Sequence, residues 1–80
     1  MKTVGLIGGM SWESSLTYYQ RINQQIKQRK GGLHSAPLIL YSVDFAHIAE
    51  LQHNNDWQQL ADYLASVGES LEKAGADALD

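Results

Sequence analysis

The eighty residues include no cysteine. That removes disulfides, cysteine-based zinc sites and thiol catalysis from the side chains present. No apolar run approaches the ~18 residues of a membrane-spanning helix. The chain opens straight into a strand pattern without a signal-peptide layout, so the expected compartment is the cytoplasm. Cations are few: six Lys and Arg stand against nine Asp and Glu, for a net charge of −3. They form no dense stripe, which argues against non-specific nucleic-acid binding. Lys27, Arg29 and Lys30 do cluster, but at an expected helix C-terminus, where cations complement the helix dipole. His34, His47 and His53 include no pair in the His-Glu-x-x-His arrangement, so they read as surface or loop histidines and not as metal ligands. Neither Ser35 beside His34 nor Ser42 beside Asp44 has the spacing of a nucleophile–base pair.

Two phosphate motifs are missing as well. The dinucleotide fingerprint needs Gly-x-Gly-x-x-Gly, with an acidic residue about 20 positions further on. This chain offers Gly5-x-x-Gly8-Gly9, and Asp44 lies well beyond that distance. No Walker-type Gly-x-x-x-x-Gly-Lys-Ser/Thr is present either.

What is present reads as a small α/β domain. The apolar fraction of 44% and charged fraction of 19% belong to a globular chain and not a disordered one. A domain of this size buries only ~60–65% of its unfolded surface, so each element counts. Lys2 to Ile7 reads as a strand ending in the Gly8-Gly9 turn. Ser11 can cap the helix that follows, with Glu13 near its positive end. Trp12, Leu16, Tyr19, Ile22 and Ile26 fall at helical spacing and predict one apolar face. Gly31-Gly32 ends that helix. Leu38 to Val43 is a near-continuous apolar run, as in parallel strands covered on both faces. Asp44 is a second natural cap, Ala46 to Gln52 a short helix, and His53-Asn54-Asn55 a turn. Asn55 or Asp56 then caps a long helix with Trp57, Leu60, Ala61, Leu64, Val67, Leu71 and Ala74 on its buried side. Gly75 to Asp80 has the look of a third strand just beginning. The expected class is a β-α-β-α-(β) start of a doubly wound, parallel-sheet domain, cut off in strand three.

A strand, a tight turn and a helix N-terminus in succession make the usual binding crevice of open α/β folds. The first N–H groups of the helix lack internal partners and carry partial positive charge, so an anion belongs there. A small carboxylate fits better than a phosphate. Gly8 and Gly9 let the backbone approach closely, Ser11 adds a hydroxyl, and Met10 and Trp12 could wall the pocket. The alternative is that Gly8-Gly9 is only a tight turn, with Met10 and Trp12 packed in the core. Gln52 could reach the same crevice from beyond the second strand.

Several separate blocks, in order, resemble one family. These are Lys2-Thr3-Val4-Gly5-Leu6-Ile7-Gly8-Gly9-Met10-Ser11-Trp12-Glu13-Ser14, Tyr18-Tyr19, Gly31-Gly32-Leu33-His34-Ser35-Ala36, Tyr41-Ser42-Val43-Asp44-Phe45, Gln52 and Ala74-Gly75-Ala76-Asp77. The chain is similar over essentially all its length to the aspartate/glutamate racemases, and most of all to their bacterial broad-specificity branch. The resemblance implies an amino-acid racemase (an isomerase) that uses neither PLP nor any other cofactor or metal, built from two similar α/β domains around a cleft. It also implies two cysteines, one from each domain, that remove and return the Cα proton on opposite faces. Such chemistry needs oriented backbone N–H groups for developing charge and a depressed thiol pKa. By the same resemblance, Met10 borders the substrate, Gln52 contacts it, Trp12 lies in the same loop, and Gly8 and Gly9 form its close backbone turn.

The departures are large. The family's third strand runs on to a Cys-Thr-Asn-Thr stretch carrying the first catalytic cysteine, whereas this sequence stops at Leu79-Asp80. Asp80 stands where an apolar residue is expected. Residues 1–80 thus correspond to the N-terminal part of the first racemase-like domain, without the second. No residue takes either base role, and the chain alone is expected to be inactive. The expected ligand is an amino-acid carboxylate of the aspartate or glutamate class. Self-association or a homo-oligomer is expected from the unfinished sheet, whose exposed edge invites pairing. The competing reading is a non-catalytic carboxylate-binding or self-association module, or an inactive remnant.

Overall fold

The structure is a computed structural model that describes residues 1–79. Strand β1 (Val4–Gly8) leads through a short turn into α1 (Trp12–Lys30), and β2 (Leu38–Ser42) follows. Two helices, α2 (Phe45–His53) and α3 (Trp57–Lys73), then precede β3 (Ala78–Leu79). The sheet is parallel with strand order β2-β1-β3. β1 pairs with β2 along its whole length, from Val4 opposite Leu38 to Gly8 opposite Ser42. It pairs with β3 only at Val4 and Gly5. This is the doubly wound start expected from the sequence, with two helices in the second connection. The expectation for Asp80 lies outside the described residues.

Helix boundaries follow local chemistry. The Ser11 hydroxyl accepts from the Ser14 N–H at 3.4 Å, Asp44 from Ala46 at 3.1 Å and Asp56 from Gln59 at 3.1 Å. Each satisfies one of the orphan donors of a first turn. Of the two residues considered for the third cap, Asp56 takes the role, while Asn55 turns the chain with φ of 54°. Gly31 closes α1 by donating its N–H to the Lys27 carbonyl at 2.8 Å, with φ of 67°. A reciprocal clasp fixes the entry to the sheet. Thr3 N–H donates to the Asp77 carboxylate at 2.8 Å, and Asp77 N–H donates to the Thr3 carbonyl at 2.7 Å.

Strand alternation divides the sheet into two faces. A Cβ at Gly5 would lie 2.9 Å from Ala76 Cβ and 3.2 Å from Leu71 Cβ, so Gly5 faces α3. Ile7 and Ile39 share that face and pack on a core of Val43, Ile48, Leu51, Leu60, Val67 and Leu71. Gly8 faces the opposite way, toward Ser15 of α1 and Leu40.

The α1 face is where the sequence expectation is corrected. Helical spacing grouped Trp12, Leu16, Tyr19, Ile22 and Ile26 on one apolar face, yet α1 buries no residue. Ile22 and Ile26 are half-buried, whereas Trp12 and Leu16 are 65% and 63% exposed. Periodicity says which side chains point together; it does not say how much sheet lies opposite them. Here the facing surface is only three strands wide, and one strand has two residues. The radius of gyration, 14.5 Å, accordingly exceeds the ~12 Å of a compact chain this long. On α3, Leu60, Val67 and Leu71 are buried as expected and Leu64 partly so, but Trp57, Ala61 and Ala74 are exposed.

Candidate functional site

Strand order decides where a ligand can sit. From β1 the chain moves to one side to make β2, then crosses back to place β3 on the other. The carboxyl end of β1 is therefore a topological switch point, where open α/β sheets bind their ligands. Gly8 stands at that end, and the turn to α1 follows at once.

The turn is pinned from two sides. Gly8 carbonyl accepts from Val43 N–H at 2.9 Å, which ties it to the end of β2. Gly9 N–H donates to the Ser15 hydroxyl at 3.0 Å, which ties it to α1. Both glycines have steric reasons. A Cβ at Gly8 would sit 2.6 Å from Ser15 Oγ. At Gly9, φ is 97° and a Cβ would run into the backbone of Val43, 2.7 Å from its nitrogen. Left-handed φ together with that contact leaves room for glycine alone.

Beyond the turn a cleft of about 270 Å³ opens between α1 and the sheet. Leu6, Ile7 and Leu40 of the sheet line it together with Gly8, Gly9 and Met10 of the turn. The other lining residues are Ser11, Ser14, Ser15 and Tyr18 of the helix start. The N–H groups of Met10, Ser11, Trp12 and Glu13 donate to no acceptor among the described residues. They stand at the positive end of the α1 dipole. The arrangement offers an apolar wall with hydroxyls and oriented N–H donors at its rim. That suits a small anion with a short apolar portion.

Of the residues singled out in the sequence, the cleft brings together Gly8, Gly9, Met10 and Ser11. Trp12 is in the first turn of α1 but does not line it, and Gln52 lies near the end of α2, also outside the lining. Met10 is 51% exposed. Neither Met10 nor Trp12 packs in the core, as the tight-turn alternative required. Ser14, Ser15 and Leu40 were not anticipated. Ser15 had one available signal: it lies one turn after the cap Ser11, on the side of the helix that returns to Gly8.

Comparison with known proteins bears on the same residues. The model of the family Asp/Glu/hydantoin racemase matches residues 7–79. This chain belongs to that family. A crystal structure of a Yersinia pestis protein, provisionally assigned as an Asp/Glu racemase, superposes with a TM-score of 0.96 at 56% sequence identity. The match covers 99% of this chain and 34% of that one, so these residues span about a third of the length of the Yersinia relative. The racemase resemblance noted from the sequence is thus confirmed at the level of family and fold.

Proposed function

We propose that these residues form the substrate-holding turn of an amino-acid racemase, with aspartate or glutamate as the ligand class. The observation that carries the reading is the cleft at the carboxyl end of β1, rimmed by the donors that begin α1. A substrate carboxylate would take the Met10 and Ser11 N–H groups, with Gly8 and Gly9 giving close approach. Met10 would border the substrate, Trp12 would flank the loop, and Gln52 would contact the ligand from the end of α2. Oriented N–H donors also stabilise the charge that develops when a Cα proton is withdrawn.

The proposed reaction is PLP-independent racemisation by two opposed cysteine thiols. The sequence contains none, so both would have to come from outside these residues. The eighty residues alone would bind without racemising. The setting is amino-acid metabolism in the cytoplasm, with no nucleic-acid or membrane partner.

Titration calorimetry with both enantiomers of aspartate and glutamate, and with inorganic phosphate as control, tests the reading. Weak binding of the amino acids in both hands, with phosphate weaker still, is expected. Binding of phosphate but not amino acids would replace the reading with a phosphate site.

A second reading, self-association, is favoured by one observation: Trp12 and Leu16 on α1 and Leu40 on β2 are all exposed. Sedimentation across a concentration series distinguishes it, through a concentration-dependent rise in mass.

A further inference from the structure

The hydroxyl of Ser15 does more than line the cleft. It accepts the Gly9 N–H at 3.0 Å and donates its own hydrogen to the Ser11 carbonyl at 3.3 Å, so both its roles are filled. The Ser15 backbone N–H donates to the same Ser11 carbonyl at 3.1 Å. Ser15 is half-buried, whereas every other residue from Met10 to Arg21 is exposed. The oxygen occupies the space that a side chain at position 8 would claim, 2.6 Å from the Gly8 Cβ position. One atom thus connects the glycine turn to the capping residue of α1.

We infer that Ser15 is a positioning residue for the carboxylate site. Its hydroxyl holds the Gly8-Gly9 turn and the Ser11 carbonyl in one arrangement, and that fixes where the intervening Met10 and Ser11 N–H groups point. Gly8 is held on its other side by Val43, so removing the hydroxyl frees one end of the turn and not both. A consequence concerns Gly9. Its N–H is engaged by Ser15, so its contribution to the site is shape, and the donors left for a ligand are those of Met10 and the residues after it. The inference rests on the carboxylate reading for its ligand, but the positioning itself has a ligand-free signature.

The test compares the chain with Ser15→Ala and Ser15→Thr, each isotope-labelled for residue-resolved amide measurements. Without ligand, Ser15→Ala should speed Gly9 amide exchange by about tenfold, the equivalent of one lost hydrogen bond. The amides of Val67 and Leu71 should keep their wild-type rates. With aspartate added, Ser15→Ala should raise the Kd reported by Met10 and Ser11 about three- to tenfold. Ser15→Thr, which keeps the hydroxyl, should restore both readouts. Gly9 exchange unchanged in Ser15→Ala overturns the positioning. Faster exchange with an unaltered Kd overturns its link to binding and leaves a structural contact. A wild-type chain that binds no aspartate, yet shows the exchange effect, defeats the carboxylate reading separately. Should Ser15→Ala not fold, an unprotected Gly9 amide in the wild-type chain overturns the positioning by itself.

Discussion

The two faces of the sheet end in opposite states. On one side α2 and α3 enclose a continuous core in which Ile48, Val67 and Leu71 are essentially inaccessible. On the other, a 19-residue helix buries none of its side chains and leaves Leu16 largely in water. The covered face holds the fold together, and the open face leaves space for a cleft. Close packing and a binding cleft compete for the same surface, since interior packing leaves few voids larger than a water molecule. The glycine turn joins the two regimes, fastened to the end of β2 through Gly8 and to α1 through Gly9.

The contrast breaks most visibly in the core. Leu71→Ala removes a side chain that is 1% exposed and touches the sheet near Gly5. It should cost about 2–4 kcal/mol, enough to unfold much of a marginal small domain. Chemical denaturation measures it, and a loss under 1 kcal/mol would mean that the α3 face is not the main source of stability. Gly9→Ala comes next, because it combines left-handed φ with a collision against the Val43 backbone. A loss of about 1–3 kcal/mol is expected. The same melts report it, and a neutral result would show the turn to be pliable. Leu16→Ser should have the smallest effect, within about 0.5 kcal/mol, as for a surface substitution. A large destabilisation there would place Leu16 in a contact that the α1 face does not have in this structure. If α1 mediates self-association, the same variant should instead lower the apparent mass in sedimentation.

Much of the fold was legible in the sequence because it is locally determined. Ser11, Asp44 and Asp56 announce helix starts by their capping oxygens, and Gly31 marks an end. The apolar run from Leu38 onward reads correctly as a parallel strand, but not as one covered on both faces, since Leu40, Tyr41 and Ser42 are exposed. The fate of α1 was not legible, because a 3.6-residue period reports a shared direction and leaves open what lies opposite. Strand order was hidden for the same reason, although the strand, glycine turn and helix start in succession already marked where the cleft lies. At the site, Gly8, Gly9 and Met10 stood out through the turn chemistry of glycine. Ser15 did not, because its importance comes from a hydrogen bond to Gly9 six residues earlier. A serine inside a helix otherwise resembles any solvated position.

In the proposed function, the start of α1 and the glycine turn hold a small carboxylate while the α2/α3 core takes no part. Amide chemical shifts mapped residue by residue during an aspartate titration test it most directly. Shifts should concentrate at Met10, Ser11 and their neighbours, with Val67 and Leu71 unmoved. A folded sample showing no shift at high aspartate, or shifts spread evenly through the core, would contradict it.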